Sequence, residues 1–404
     1  MKTIKNGGVC SAKGFRAAAA AGAIKYEGRD DVALIVADAP CAAAAVFTTN
    51  SVAAAPVIYD REIAKSGRAQ AILVNSGCAN ACTGERGLKD AKLSALVTAA
   101  ELGVEPGSVF VASTGVIGRP LPVDRLLDGM RKAKGRLART SAAANAAARA
   151  IMTTDTKPKE AAVSLVIGGK KVVVGGMTKG SGMIEPNMAT MLGFITTDAA
   201  VSSAMLKRAI KIAVSKSFNR VVVDGDESTN DSLFLLASGA AGNATITKSG
   251  EDFRLFTQAL CAVCVSLAKQ MAADGEGATK FVTVTVKGAR NEADAARAAR
   301  AVAKSPLAKT SWFGRDPNWG RVLAAVGYSG ADVVDMKTEV FYDGVWAFRK
   351  GETADAKQLE LLEKVLEKDA FDVTVDLHLG KGESSVYTCD FSLDYVHINA
   401  DYTT

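Results

Sequence analysis

The chain has 404 residues, 48% of them hydrophobic and 23% charged, with 49 basic against 43 acidic side chains and a formal net charge of +6. That composition can bury a large core and excludes a disordered or fibrous polypeptide. No long run of Lys or Arg carries interleaved aromatics, so a nucleic-acid partner is excluded too, and the small positive excess reads as a mixed solvated surface.

The first residues, MKTIKNGGVC, lack the uninterrupted apolar core of a signal peptide. Ala17 to Ala21 is too short and too weakly apolar to span a bilayer, so the expectation is a cytoplasmic protein with no membrane association. Short β-branched runs at Val32 to Val36, Ile72 to Asn75 and Val109 to Ser113 alternate with helical stretches at Gly87 to Leu102 and Asp124 to Arg136. The segment AAVSLVIGGKKVVVGG reads as two antiparallel strands joined at Gly168-Gly169, which supply the positive φ of a tight hairpin turn.

A strand begins at Met191 in MLGFITTDA, followed by a helix opened by Ser202 or Ser203 with Met205, Ala209, Ile212 and Ala213 as its apolar face. RVVVDGD is a further strand. A long helix over 252–273, a strand at Phe281 to Val286, a helix from Glu292 to Lys304 and a charged amphipathic helix over 354–368 come next, and a hairpin turning at Lys381-Gly382 ends the pattern. No period of 20 to 50 residues recurs, which argues against a solenoid or propeller. Mixed strands flanked by helices predict an α/β (α+β) architecture of packed sheets with helices outside, and a lobe boundary near 280–310 that no Pro- or Ser-rich linker marks.

Seven cysteines, at 10, 41, 78, 82, 261, 264 and 389, show no framework spacing and suit a reducing cytosol. Cys261 and Cys264 share a helical run with Phe253, Phe256, Leu260, Leu267 and Met271, so they are expected to face the core rather than hold a metal.

Only two histidines exist, His378 and His397, both in the last strand-like segments, where a structural role is the safer reading. An enzyme so poor in histidine needs another base, and a free α-amine, with an ordinary pKa of about 7.7 to 8.0, is one of few near neutrality. Such an amine can activate the hydroxyl of its own residue, provided the chain is cut before a threonine. The densest irregular stretch, GGMTKGSGMIEPNMATMLGFITTDA, runs into a strand, and Gly180, Gly182, Pro186 and Asn187 allow unusual backbone just ahead of Ala189-Thr190. Attack of the Thr190 hydroxyl on the Ala189 carbonyl is the candidate cleavage, helped by backbone strain inferred from that composition.

The string KGSGMIEPNMATMLGFITTDA resembles the self-processing segment of the ornithine acetyltransferases, also called bifunctional glutamate N-acetyltransferase and amino-acid acetyltransferase. The resemblance extends in order through LVNSGCANACTG, VASTGVIGRPLP, IMTTDTKPK, VDGDESTND, DGEGATK and GRDPNWGR, nearly the whole chain. It implies a cut between Ala189 and Thr190, giving an α chain of residues 1–189 and a β chain of residues 190–404, with a smaller lobe from about 285 onward. It also implies a layered α/β/β/α sandwich with a smaller C-terminal α/β lobe, assembled as an α2β2 heterotetramer. The implied reaction moves acetyl from N-acetylornithine to glutamate through an ester on Thr190, with no cofactor or metal and with acetyl-CoA left open as a second donor.

On the same resemblance Thr190 is the nucleophile, and Thr114 and Gly115 stabilise the oxyanion. Thr153, Lys179, Thr190, Glu276, Asn399 and Thr404 bind substrate. The chemistry agrees, since Lys suits a carboxylate and Glu a side-chain ammonium, although the sequence does not fix that pairing. The family commonly reads NSGNANA where this chain has NSGCANA, so Cys78 replaces an amide and becomes either a packed small residue or a thiol-sensitive spot. The alternative activity is an N-terminal nucleophile aminopeptidase or amidase, with water as acceptor. A phosphate-binding module is disfavoured because GEGATK lacks the spacing of GxxxxGK[ST].

Overall fold

The longest strand, Val32–Phe47, is where the architecture turns. In the computed structural model, which describes residues 1–185 and 191–401, this strand is buried through Ala37, exposed at Asp38, Ala39 and Pro40, and buried again at Cys41. Proline has no N–H to give to a ladder, and the pairing register slips between Val36 and Cys41, so the strand bends there. Its first half pairs with Phe15–Ala20 and Arg68–Asn75, and its second half with Ser232–Ala237. One limb of the nine-stranded sheet then continues to Val109–Ser113, parallel to its neighbour. The other runs through Leu192–Thr197 to the hairpin of Lys170–Lys179 and Lys159–Ile167 and ends at Lys2–Thr3.

Side chains alternate across a strand, which is why the two limbs can stack and still bury their outer faces. Phe15, Ile35, Ile72 and Phe110 of one limb meet Met177, Phe194, Phe234 and Leu236 of the other in a shared core. The Phe234 ring lies 4.8 Å from Phe110 and 5.7 Å from Phe194. On the outer face of the first limb, Leu34, Leu73 and Val111 pack under the helices Gly84–Leu102 and Val123–Lys134. On that of the second, Val174, Ile195 and Leu235 pack under Ser203–Ser215 and Glu251–Ala273. The order helix, sheet, sheet, helix is the expected layered sandwich. Glu251–Ala273 is long and apolar enough to cross a membrane, but Phe256, Leu260, Leu267 and Met271 are fully buried beneath it, which accounts for its composition as core.

A second sheet of seven strands centres on Phe281–Ala289, covered by helices that include Glu292–Lys304 and Trp319–Gly327. The short strand Val221–Val222 joins its edge, parallel to Gly382–Cys389.

Four local expectations change. No hairpin turns at Lys381-Gly382, because Ala370–Asp376 and Gly382–Cys389 lie on opposite sides of Phe281–Ala289. Alternation marks each as a strand but says nothing of its partner. The helix capped by Ser202 buries Leu206, Ala209, Ile210 and Ala213 rather than Met205 and Ile212, since apolar residues occupy two adjoining stripes. RVVVDGD contributes only Val221–Val222, because the Asp224 carboxylate then takes the N–H groups of Met183 and Ile184 and the chain turns. His397 lies on the helix Leu393–Asp401 and His378, with φ +50°, in a connection, both exposed.

Candidate active site

Ends of elements from both limbs converge on one cavity. The hairpin strand ends at Lys179, the strand Val109–Ser113 delivers Thr114 and Gly115, and the loop after Ser141–Ala150 brings Thr153. Glu276 follows the long core helix, and Asn399 reaches in from the last helix. All six line the same cavity, together with Met191, Asn230 and Asp231. Ala189, Thr190 and Thr404 lie outside the described residues; Met191, the residue after Thr190 in the chain, lines the cavity wall.

Gly115 has φ +128°, and a Cβ there would sit 2.4 Å from the Gly77 carbonyl carbon and 2.7 Å from the Cys78 nitrogen. No side chain fits against backbone at that distance, so the position requires glycine. The flanking N–H groups are used, Thr114 N donating to Asn75 O at 3.0 Å and Val116 N to Gly77 O at 3.4 Å. Among the described residues, no hydrogen bond is made by the Gly115 N–H, which leaves a donor beside the Thr114 hydroxyl in the cavity. Two donors side by side can stabilise a developing oxyanion.

Lys179 Nζ donates to Thr114 Oγ1 at 3.2 Å. Burial pulls the Lys179 pKa below its usual value, and the Asp155 carboxylate opposes that pull. Burial likewise pushes Asp155 up, but the charges of Lys179 and Lys159 outweigh it and hold Asp155 down at about 2. Asp155 accepts from Lys159 Nζ at 2.6 Å, Gly180 N at 2.8 Å and Thr153 N at 3.1 Å. Lys159 also donates to Asp274 at 2.5 Å, so the buried order Lys179, Asp155, Lys159, Asp274 alternates in sign. A lysine behind the cavity whose charge such a chain supports against burial can receive a substrate carboxylate.

Asn399 Nδ2 donates to Glu276 Oε2 at 2.8 Å and to Tyr395 O at 3.0 Å. The backbone of Gly182 packs directly on the Glu276 carboxylate, 2.3 Å from where a Cβ would be. Glu276 is 7% exposed, a buried anion suited to a substrate ammonium.

Both sides of the segment 186–190 are pinned. Met183 holds φ +58°, unusual for a side-chain residue, with its N–H and that of Ile184 on Asp224. Burial raises the Asp224 carboxyl to about 6. Glu185 is bound by Arg300 at 3.0 Å and by Lys304. Downstream, the Met191 N–H bonds to the Asp231 carboxylate, and Ser232 N donates to Met191 O at 2.9 Å.

Sequence reasoning missed Asp155 and Asp231, although TTD and VDGDESTND contain them; a carboxylate gains its meaning here from burial, which no spacing reports. Cys78 is 4% exposed, donates its thiol to Arg119 O at 3.4 Å and has its pKa raised chiefly by burial. That makes it a packed residue beneath Thr114 and corrects the thiol-sensitive alternative. Among the described residues no cluster of His, Cys, Asp and Glu could hold a metal ion.

Comparison with known proteins follows the same residues. The sequence model of the ArgJ family matches residues 16–404. The arginine biosynthesis bifunctional protein ArgJ of Geobacter sulfurreducens is 52% identical over 97% of this chain and 99% of its own length. The glutamate N-acetyltransferase of Methanocaldococcus jannaschii is 45% identical over 99% of each. A crystal structure of the arginine biosynthesis bifunctional protein ArgJ from Bacillus halodurans superposes with a TM-score of 0.51 at 40% identity, covering 53% of this chain and all of its own.

Proposed function

The chain belongs to the ArgJ family, and from that premise we propose how its cavity carries acetyl from N-acetylornithine to glutamate. The enzyme is an acyltransferase of arginine biosynthesis that acts on small molecules. Thr190 is the nucleophile, freed as an N-terminus by cleavage after Ala189. Its Oγ bonds to the acetyl carbon while the α-amine takes the hydroxyl proton. The oxyanion sits between the Thr114 hydroxyl and the Gly115 N–H. The C–N bond then breaks, the leaving nitrogen of ornithine receives the proton, and an acetyl ester remains on Thr190. Glutamate enters, its amine attacks the ester, and N-acetylglutamate leaves with the hydroxyl restored.

Lys179 receives the substrate α-carboxylate and Glu276, steadied by Asn399, the ornithine side-chain ammonium, with Thr153 and Thr404 completing the pocket. The observation that carries this reading is the meeting of an N–H with no partner among the described residues, a buried lysine and a buried carboxylate around Met191. The reaction needs no cofactor; acetyl-CoA is a second donor to glutamate at the same threonine. The assembly is an α2β2 heterotetramer in the cytoplasm.

The test is intact mass together with a donor assay. Two chains of 189 and 215 residues, and ornithine released from N-acetylornithine in proportion to added glutamate, are expected. Rapid release without glutamate would instead identify an N-terminal nucleophile amidase.

A further inference from the structure

Asp231 is 3% exposed and lines the cavity, yet its Oδ2 is buried with no hydrogen-bond partner among the described residues. Burial pushes the carboxyl well above the usual range, against the pull of the Met191 N–H and the Lys179 charge, with Glu227 raising it further and Ser228 donating to it. A buried carboxylate oxygen left without a donor keeps the full cost of its lost hydration, so an intact site should offer it one. Lys179 is turned toward Thr114, and Asn230 Nδ2 is spent on Ala79 O and Ser113 O.

Chain connectivity names a candidate donor. The Met191 N–H is bonded to this carboxylate, and Thr190 immediately precedes Met191 in the chain, with three covalent bonds between the two nitrogens. We infer that Asp231 is a positioning residue for the α-amine released at Thr190, holding it beside the hydroxyl and stabilising the ammonium that forms when the amine takes the hydroxyl proton. This rests on the reading of Thr190 as a self-released nucleophile. The Lys179 charge and burial both weaken an amine as a base; Asp155, Asp231 and Glu276 oppose the Lys179 charge, and of these Asp231 is the one bonded to the residue that follows Thr190. The arrangement matches the orienting carboxylate of a catalytic triad, which steadies the charged base without itself taking the proton.

The experiment compares Asp231→Asn with the full-length protein. Mass spectrometry of the unmodified protein comes first: a single active chain would overturn the Thr190 reading itself, whatever Asp231 does. If two chains are seen, Asp231→Asn should also give two chains, lower kcat by on the order of 10²-fold and leave KM for N-acetylornithine little changed. The acid limb of its kcat/KM profile should move to lower pH, because the amine has lost its anion. Asp231→Glu, which keeps the charge, should restore the limb. An unmoved limb, or a change confined to KM, overturns the inference, as does an uncleaved Asp231→Asn chain that folds. Should Asp231→Asn not fold, Asp231→Ser, smaller and uncharged, carries the same expectations and the same overturning results.

Discussion

Lys179 Nζ donates to Thr114 Oγ1 at 3.2 Å, and this one hydrogen bond joins the ends of strands that belong to the two stacked limbs. The cation that would receive a carboxylate is thereby held against the hydroxyl that would meet an oxyanion. Thr114→Val removes the hydroxyl and keeps the shape. Losing one oxyanion donor raises the barrier by about 2.7 to 4 kcal/mol, roughly 10²- to 10³-fold in kcat. The Gly115 N–H remains, so residual turnover is expected. Steady-state kinetics should show the loss in kcat, with both chains still formed; an effect on KM alone would assign Thr114 to ground-state binding.

Gly115→Ala should be more damaging than Thr114→Val. The added methyl carbon meets Gly77 and Cys78 backbone at 2.4 to 2.7 Å, at a φ of +128° that other residues rarely adopt. Backbone cannot swing aside as a flexible side chain can, so the Thr114-Gly115 turn must move and take its N–H with it. Both a lower melting temperature and a loss of kcat beyond that of Thr114→Val are expected. Unchanged melting with normal turnover would show that the turn has room the geometry does not provide.

How much of this was legible in the sequence depends on how local each feature is. Gly168 and Gly169 take φ +54° and +75°, so the hairpin that ends at Lys179 could be read from a dipeptide and two alternating runs. The layered fold followed from strands and helices taking turns, because each outer face needs a helix to cover it. The false hairpin at Lys381-Gly382 arose because the true partner of both strands, Phe281–Ala289, lies about a hundred residues earlier. The six cavity residues within the described chain were named through a family resemblance, while Asp231 and Asp155 stayed hidden. Their significance lies in a buried oxygen without a partner among the described residues and in an alternating charge chain, both products of the fold.

That charge chain makes stability depend on pH in a definite direction. Asp155 is held at about 2, below its ordinary 3.8, so its contribution is present above pH 4 and lost as pH falls from about 4 to 2. The size is of order 2 kcal/mol. Asp224 is raised to about 6, so it acts oppositely, adding stability as pH falls from about 6 to 4. Urea unfolding over a pH series should therefore show Asp155→Asn less stable at pH 7 and with a shallower decline below pH 4. Asp224→Asn should flatten the gain between pH 6 and 4. A decline below pH 4 identical in Asp155→Asn and the unmodified chain would remove Asp155 from the account.

The last helix tests whether the end of the chain belongs to the site. Asn399 is exposed, and its known contacts are Glu276 Oε2 and Tyr395 O. Exposed substitutions usually change stability by no more than about 0.5 kcal/mol, so Asn399→Ala should melt like the parent chain. A hydrogen bond to a charged group contributes about 1.5 to 3 kcal/mol, and without it the Glu276 carboxylate is free to leave the position that would meet an ammonium. KM for N-acetylornithine should therefore rise about tenfold or more with kcat nearly kept. Glu276→Gln, which removes the charge itself, should raise it further. A chain ending at Tyr395 loses Asn399 and Thr404 together and should cleave normally but bind donor at least as poorly as Asn399→Ala. Full activity in that shortened chain would show that the last helix covers the cavity without serving it.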